Sequence, residues 1–129
     1  LLESLTWEID MELNGKCQVL RIYIDEEHKW QGHNLYHAMV ERLVKEGLAG
    51  ATVIRGIEGF GSSTLIHSAH WVDAADSLPI VVEAVDKPEK IKMVLEWLPE
   101  MLPQHCLVTV GDVHVHHYYS PNGPHAAKS

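Results

Sequence analysis

Apolar residues in this chain switch between a period of two and a period near 3.6, and the order of those switches admits few folds. Leu20, Ile22 and Ile24 alternate with Val19, Arg21 and Tyr23, which predicts a two-faced strand over 17–24. The charged stretch 25–29 then reads as a loop. A helix follows over 34–46, with Leu35, Met39 and Leu43 beside Tyr36, Val40 and Val44 as its apolar stripe. Gly47 is its stop. A second strand over 51–57 runs into Gly56-Ile57-Glu58-Gly59-Phe60-Gly61; Ser62 and Ser63 prolong that loop, and residues 65–72 read as a short strand or ribbon arm. A third core strand, 79–85, begins at Pro79, a position where a missing N–H is tolerated. Asp86, with Glu89 three residues on, reads as a capping box for a helix over 87–98. Pro88 suits the first turn, and Ile91, Val94, Leu95 and Leu98 supply the buried face. Pro99 ends that helix, and a final strand covers 107–118.

The resulting order, β-α-β-β-α-β, predicts an α+β, ferredoxin-like sandwich with two helices on one face of a four-stranded antiparallel sheet. The rival is a parallel α/β sheet, and neither helix is preceded by a dinucleotide glycine signature. On this reading residues 1–16 are an N-terminal extension, 17–119 a single domain and 120–129 a flexible C-terminal tail. The sheet's other face carries Val19, Tyr23, Val81 and Val85, with Arg21 and Glu83 among them. A face this apolar is a liability when wet, so burial against copies of the same chain is expected.

At 129 residues, with 46% apolar and 22% charged content, the chain suits one domain with its own core. A formal charge of -8 opposes nucleic-acid binding, and no Lys/Arg cluster with interleaved aromatics offsets it. No stretch approaches the roughly 20 apolar residues that cross a bilayer, so direct membrane insertion is not expected. No basic segment, apolar block and small-residue cleavage site stand at the start, and Cys17 and Cys106 read as reduced thiols. The expected setting is the cytoplasm.

Three segments carry a family resemblance: LRIYIDEEHKWQGHNLYHAMVERLVKEGLAGATVIRGIEGFGSS at 20–63, LPIVVEAVDKPEKI at 78–91 and LVTVGDVHV at 107–115. With the spacing between them, the chain resembles the DUF190 family of PII-like proteins from Leu13 to Tyr119. The resemblance implies a ferredoxin-like fold related to the PII nitrogen regulators, assembled as a homotrimer. It also implies adenine-nucleotide clefts between subunits whose occupancy a mobile loop reports to a partner protein. Two departures stand out. Pro103-Gln104-His105-Cys106 occupies the place of the PII Gly-Asp-Gly-Lys phosphate loop, and Asn34 stands where the family usually has proline.

The candidate ligand segment runs from Arg55 through Gly61. Gly56, Gly59 and Gly61 allow backbone N–H groups to approach an anion, Arg55 can add a charge-assisted bond, and Phe60 sits among them. The competing reading is a tight turn that carries Phe60 into an oligomer contact while Arg55 pairs with a neighbouring acid. His67 could bond a ligand, and Lys29 beside Trp30 could hold a base or a partner chain. Trp30 itself reads as closing the helix end over the core.

His33 and His37 have i,i+4 spacing, and His114 and His116 share a face of the last strand, so each pair could hold zinc or copper. There is no nucleophile elbow, zincin helix or Cys-x-x-Cys pair, and nothing in the sequence orients Ser62 or Ser63 toward His67, so enzyme chemistry is not expected. The leading function is a trimeric sensor of an adenine nucleotide or other small anion that acts through a partner protein. The alternatives are a divalent-metal-binding trimer and an interaction module without a small ligand.

Overall fold

The computed structural model describes residues 13–61 and 77–118. Its longest strand, β1 (Gly15–Asp25), lies at the centre of the sheet. β4 (Ala51–Arg55), β5 (Pro79–Asp86) and β6 (Leu107–Val115) complete it in the order β4-β5-β1-β6. Every pairing is antiparallel, with Tyr23 opposite Val81 on β5 and opposite Leu107 on β6. Between β1 and β4 stand a small hairpin, β2 (Lys29–Trp30) with β3 (His33–Asn34), and helix α1 (Leu35–Lys45). Helix α2 (Pro88–Trp97) and a 3-10 turn at Leu98–Glu100 connect β5 to β6. The fold is the expected α+β ferredoxin-like sandwich.

The alternation in β1 decides which face is dry. Leu20, Ile22 and Ile24 are 0–5% exposed and join Ile80, Val82 and Ala84 beneath the helices. From above, Leu35, Met39 and Leu43 of α1 meet Ile91, Val94 and Trp97 of α2 in one core cluster. Each fully buried aliphatic side chain contributes on the order of 1.5–3 kcal/mol relative to exposure. The α1 stripe is narrower than the sequence suggests, since Val44 is 69% exposed. On α2, Trp97 takes a buried place while Leu95 turns outward.

Local chemistry sets the ends of these elements. Gly47, at φ +84°, closes α1: its N–H donates to the Val44 carbonyl and the Leu48 N–H donates to Leu43. These are the paired bonds of a glycine C-terminal cap, for which a left-handed residue is required. The hairpin inside 25–34, expected as loop and helix start, turns through Gln31 and Gly32 at φ 49° and 84°. Two successive left-handed residues match the right-handed twist of the strands they join.

Three expected boundaries are corrected. Asp86 does not cap α2: it is the last residue of β5, Lys87 is the N-cap, and no side chain caps that terminus. Its buried carboxylate instead accepts from the Ala49 N–H at 2.8 Å and the Lys87 N–H at 2.7 Å, tying β5 to the segment after α1. Pro88 does open the helix, where its missing N–H costs nothing. The second strand stops at Arg55 and not at 57, and the last stops at Val115 and not at 118. The ribbon arm read at 65–72 lies outside the described residues, as do the terminal stretches 1–12 and 119–129.

Candidate ligand cleft

A cleft of about 590 Å³ opens at the end of the sheet where β1 finishes and β5 and β6 begin. β1 contributes Tyr23, Ile24 and Asp25, and His28 follows from the loop into β2. Pro79 and Leu107, the first residues of β5 and β6, form the floor beside them. Gly59, Phe60 and Gly61 come from the segment that leaves β4, and Gln104, His105 and Cys106 from the connection between α2 and β6. Four chain segments, distant in sequence, therefore meet here because the antiparallel register brings their ends together.

Two hydrogen bonds shape its walls. The Asp25 N–H donates to His28 Nδ1 at 3.0 Å, which leaves Nε2 of the neutral imidazole to carry the proton. The Cys106 thiol donates to the Tyr23 carbonyl at 3.3 Å, fastening the 104–107 connection to β1. Burial pushes the Cys106 thiol up from its ordinary value, so the sulfur stays protonated and is poorly suited to nucleophilic attack.

The glycines of the 55–61 segment serve packing as well as access. A Cβ on Gly56 would stand 2.9 Å from Pro79 Cγ, and one on Gly59 would stand 3.2 Å away. The Gly56 N–H donates to the Pro79 carbonyl at 2.7 Å, so the chain leaving β4 lies flat against the start of β5. A Cβ at Gly61 would meet nothing within 4 Å. Ile57 is 93% and Phe60 76% exposed, which makes them a pair of apolar side chains presented to solvent beside the cleft.

Of the residues singled out in the sequence, Gly59, Phe60 and Gly61 line the cleft, while Arg55, Gly56 and Lys29 do not. The Arg55 guanidinium forms an ion pair with Glu26, whose own backbone N–H donates to the Leu78 carbonyl at 3.0 Å. Lys29 Nζ donates to Asn34 Oδ1 at 2.8 Å within the small hairpin. Trp30 packs against the core, as expected. His67 lies outside the described residues.

Neither expected histidine pair lies within a single helix or strand. His33 belongs to β3 and His37 to α1, so helical i,i+4 spacing does not apply, and His37 lies 3.4 Å from Glu41. His114 is on β6, and His116 follows its last residue, Val115. No group of three or more His, Cys, Asp or Glu side chains gathers to hold a metal ion among the described residues.

His28, Gln104 and His105 were not selected in the sequence as members of one site. Each comes from a short polar stretch without a recognisable spacing, and only the strand register brings them together. Asp25, expected in the charged loop 25–29 and found as the last residue of β1, carries no signal of its own either.

Among the described residues no helix is long and apolar enough to cross a membrane. Residues 17–115 match the model of the DUF190 family, described as Uncharacterized ACR. A UPF0166 protein of Aquifex aeolicus is 40% identical over 101 residues, covering 78% of this chain and 93% of its own length. One from Methanocaldococcus jannaschii is 34% identical over 101 residues, with the same 78% and 93% coverage. Among solved structures, CPII, a nitrogen regulatory PII-like protein from Thiomonas intermedia bound to ADP, AMP and bicarbonate, superposes with a TM-score of 0.53 at 21% identity, covering 78% of this chain and 94% of that one. CPII bound to ADP, AMP and acetate gives a TM-score of 0.55 at 22% identity, covering 80% and 91%. At that identity the likeness speaks for fold alone. The family match and the identity to the UPF0166 proteins go further: this chain belongs to the DUF190 family, and its fold is PII-like.

Proposed function

We propose that the protein is a PII-like sensor that binds a small anion, with an adenine nucleotide as the leading candidate, and reports its occupancy to a protein partner. The observation that carries this reading is the cleft itself. Its volume of about 590 Å³ falls in the range that small-molecule sites occupy, roughly 300–1,000 Å³. CPII, which shares the fold, holds ADP and AMP with bicarbonate or acetate in its solved structures. Gly59, Phe60 and Gly61 line the cleft, and Phe60 offers a ring for a base to stack on. Arg55 enters the same reading as a residue that holds the segment in place through Glu26 and becomes available to an anion only when that pair opens.

Homotrimer assembly belongs to this proposal. On the face away from the helices, Val19, Val81 and Val85 are joined by Tyr23, Ile54, Leu107 and Val113, the last four 36–58% exposed. Arg21 and Glu83 pair at 2.8 Å in their midst, which removes a charge conflict from the apolar surface. Tyr23 and Leu107 belong to both this face and the cleft wall, so a second subunit on the face would also border the ligand. Ile57 and Phe60 offer the partner protein an apolar contact whose position ligand binding would bias. A cytoplasmic setting suits the two free cysteines.

One native mass spectrum of protein purified without added ligand tests assembly and ligand together. The expected result is a trimer carrying nucleotide mass, or a trimer that takes up ADP or AMP on addition. A monomer that binds neither would sink the proposal, and stoichiometric zinc or copper uptake in their place would favour the metal-binding alternative.

A further inference from the structure

The sheet's outer face is banded across its strands, and the strand register makes the bands. Residues directly opposite on antiparallel strands share a face, so each set of partners forms a row across the sheet. Ile54, Val81, Tyr23 and Leu107 make one such row, apolar from edge to edge. Two residues away on every strand, Thr52, Glu83, Arg21 and Thr109 make the next, and all four are polar. The row beyond turns apolar again, with Val85 opposite Val19 and Val19 opposite Gly111. Successive rows lie about 6.6 Å apart, twice the rise of one strand residue.

A polar band between two apolar ones restricts what can cover this face. Arg21 Nε donates to Glu83 Oε2 at 2.8 Å, and the two side chains are 44% and 29% exposed. Any surface that seals the apolar rows also strips water from this pair. A dehydrated ion pair is tolerated only when its remaining donors and lone pairs find partners. The bond seen here takes one of the guanidinium's five N–H donors and one of the carboxylate's two oxygens, so each group can hold a second partner at the same time. A copy of the same face offers both, because it carries one acid and one base side by side. In a closed ring of copies these charges balance whatever the number of subunits. Sliding one copy by a single row would set its charges against apolar side chains, so the band also fixes the register.

Resting on the trimer reading above, we infer that Arg21 and Glu83 are the pair by which copies of this chain recognise one another. Each keeps its partner within the subunit and also meets the opposite charge of a neighbouring copy. The apolar rows hold the copies together, and the polar row turns away surfaces that lack the matching charges.

Native mass spectrometry of full-chain variants, alone and mixed, tests this pairing. Arg21→Glu makes the band doubly acidic and Glu83→Arg makes it doubly basic. Each variant alone should need at least about tenfold more protein to assemble, the scale set by unpaired charge at an interface. Mixed in equal amounts, the two should form trimers that contain both, because the acidic band of one meets the basic band of the other. A pair that serves only the fold of its own subunit would leave both variants as impaired in the mixture as they are alone, and that result would overturn the inference. Circular dichroism shows whether each variant folds. Where a charge reversal does not fold, Arg21→Gln mixed with Glu83→Gln carries the same test, since Glu83 of one and Arg21 of the other remain to pair. Single variants that assemble as readily as the unaltered chain would overturn the recognition role and leave the trimer standing. An unaltered chain that stays monomeric at every concentration would overturn the trimer as well, and would assign this face to a different partner.

Discussion

The two ends of the sheet are built from the same strands and have opposite characters. At the end where β1 begins, polar groups close on one another. Asp86 accepts two backbone N–H groups, the Tyr118 hydroxyl donates to the Ala49 carbonyl at 3.2 Å, and the Tyr118 N–H donates to Asn14 Oδ1 at 3.1 Å. Lys87 Nζ adds a bond to the Asn14 carbonyl at 3.2 Å. At the opposite end, where β1 finishes, the strands splay around a cleft with histidines, glycines and an exposed phenylalanine on its rim. One end spends its polar groups on the fold. The other keeps several of them facing solvent, as a binding site must.

Substitutions can test that division, beginning with the largest effect. Asp86→Ala leaves two N–H groups without their acceptor, and each unsatisfied buried group costs about 1–3 kcal/mol. A loss of roughly 2–4 kcal/mol in a urea unfolding curve is expected, with Asp86→Asn losing less because one oxygen remains. A loss under 0.5 kcal/mol would show that the closed end is not closed by this carboxylate.

Gly56→Ala comes next, since its Cβ would stand 2.9 Å from the Pro79 ring. Overpacking of this kind costs about 1–3 kcal/mol. The same change at Gly61, which faces open space, should leave the unfolding midpoint in place. Equal effects at the two positions would remove the packing explanation for the first.

The smallest effects belong to the cleft rim. Arg55→Ala breaks an ion pair whose arginine is 58% exposed, a type of contact worth about 0–1 kcal/mol. Phe60→Ala should change stability by no more than about 0.5 kcal/mol while weakening ligand or partner binding in a titration. If Phe60→Ala destabilised the trimer instead, the ring would be an oligomer contact and the rim would belong to the fold after all.

The sheet and helices were legible because each carries its period over several residues. The alternation around Leu20 and Ile22 names the dry face of β1 without reference to any other strand. Asp86 shows where that legibility ends. A capping residue and a strand-end carboxylate differ by one position, and the element boundary is set by pairing with Gln18 across the sheet. Arg55 shows a second limit, because its acid, Glu26, is 29 residues away and is brought near only by the turn after β1. The cleft was half visible. Its glycine rim forms a contiguous run, whereas His28 and His105 meet only after β1 and β6 are in register.

The position of β1 bears on how the molecule is made. It is the first strand in the described chain, yet both its partners come late, beginning at Pro79 and Leu107. As the chain emerges from a ribosome, β1 must wait with two open edges while α1 and β4 are synthesised, and it gains its second neighbour only when the last strand is out. Pairings this distant in sequence are slow to close, and unpaired edges invite the wrong partner. The sheet is thus open to misassembly until both partner strands have been made: β5 can join β1 and β4 first, and β6 closes the other edge of β1 last.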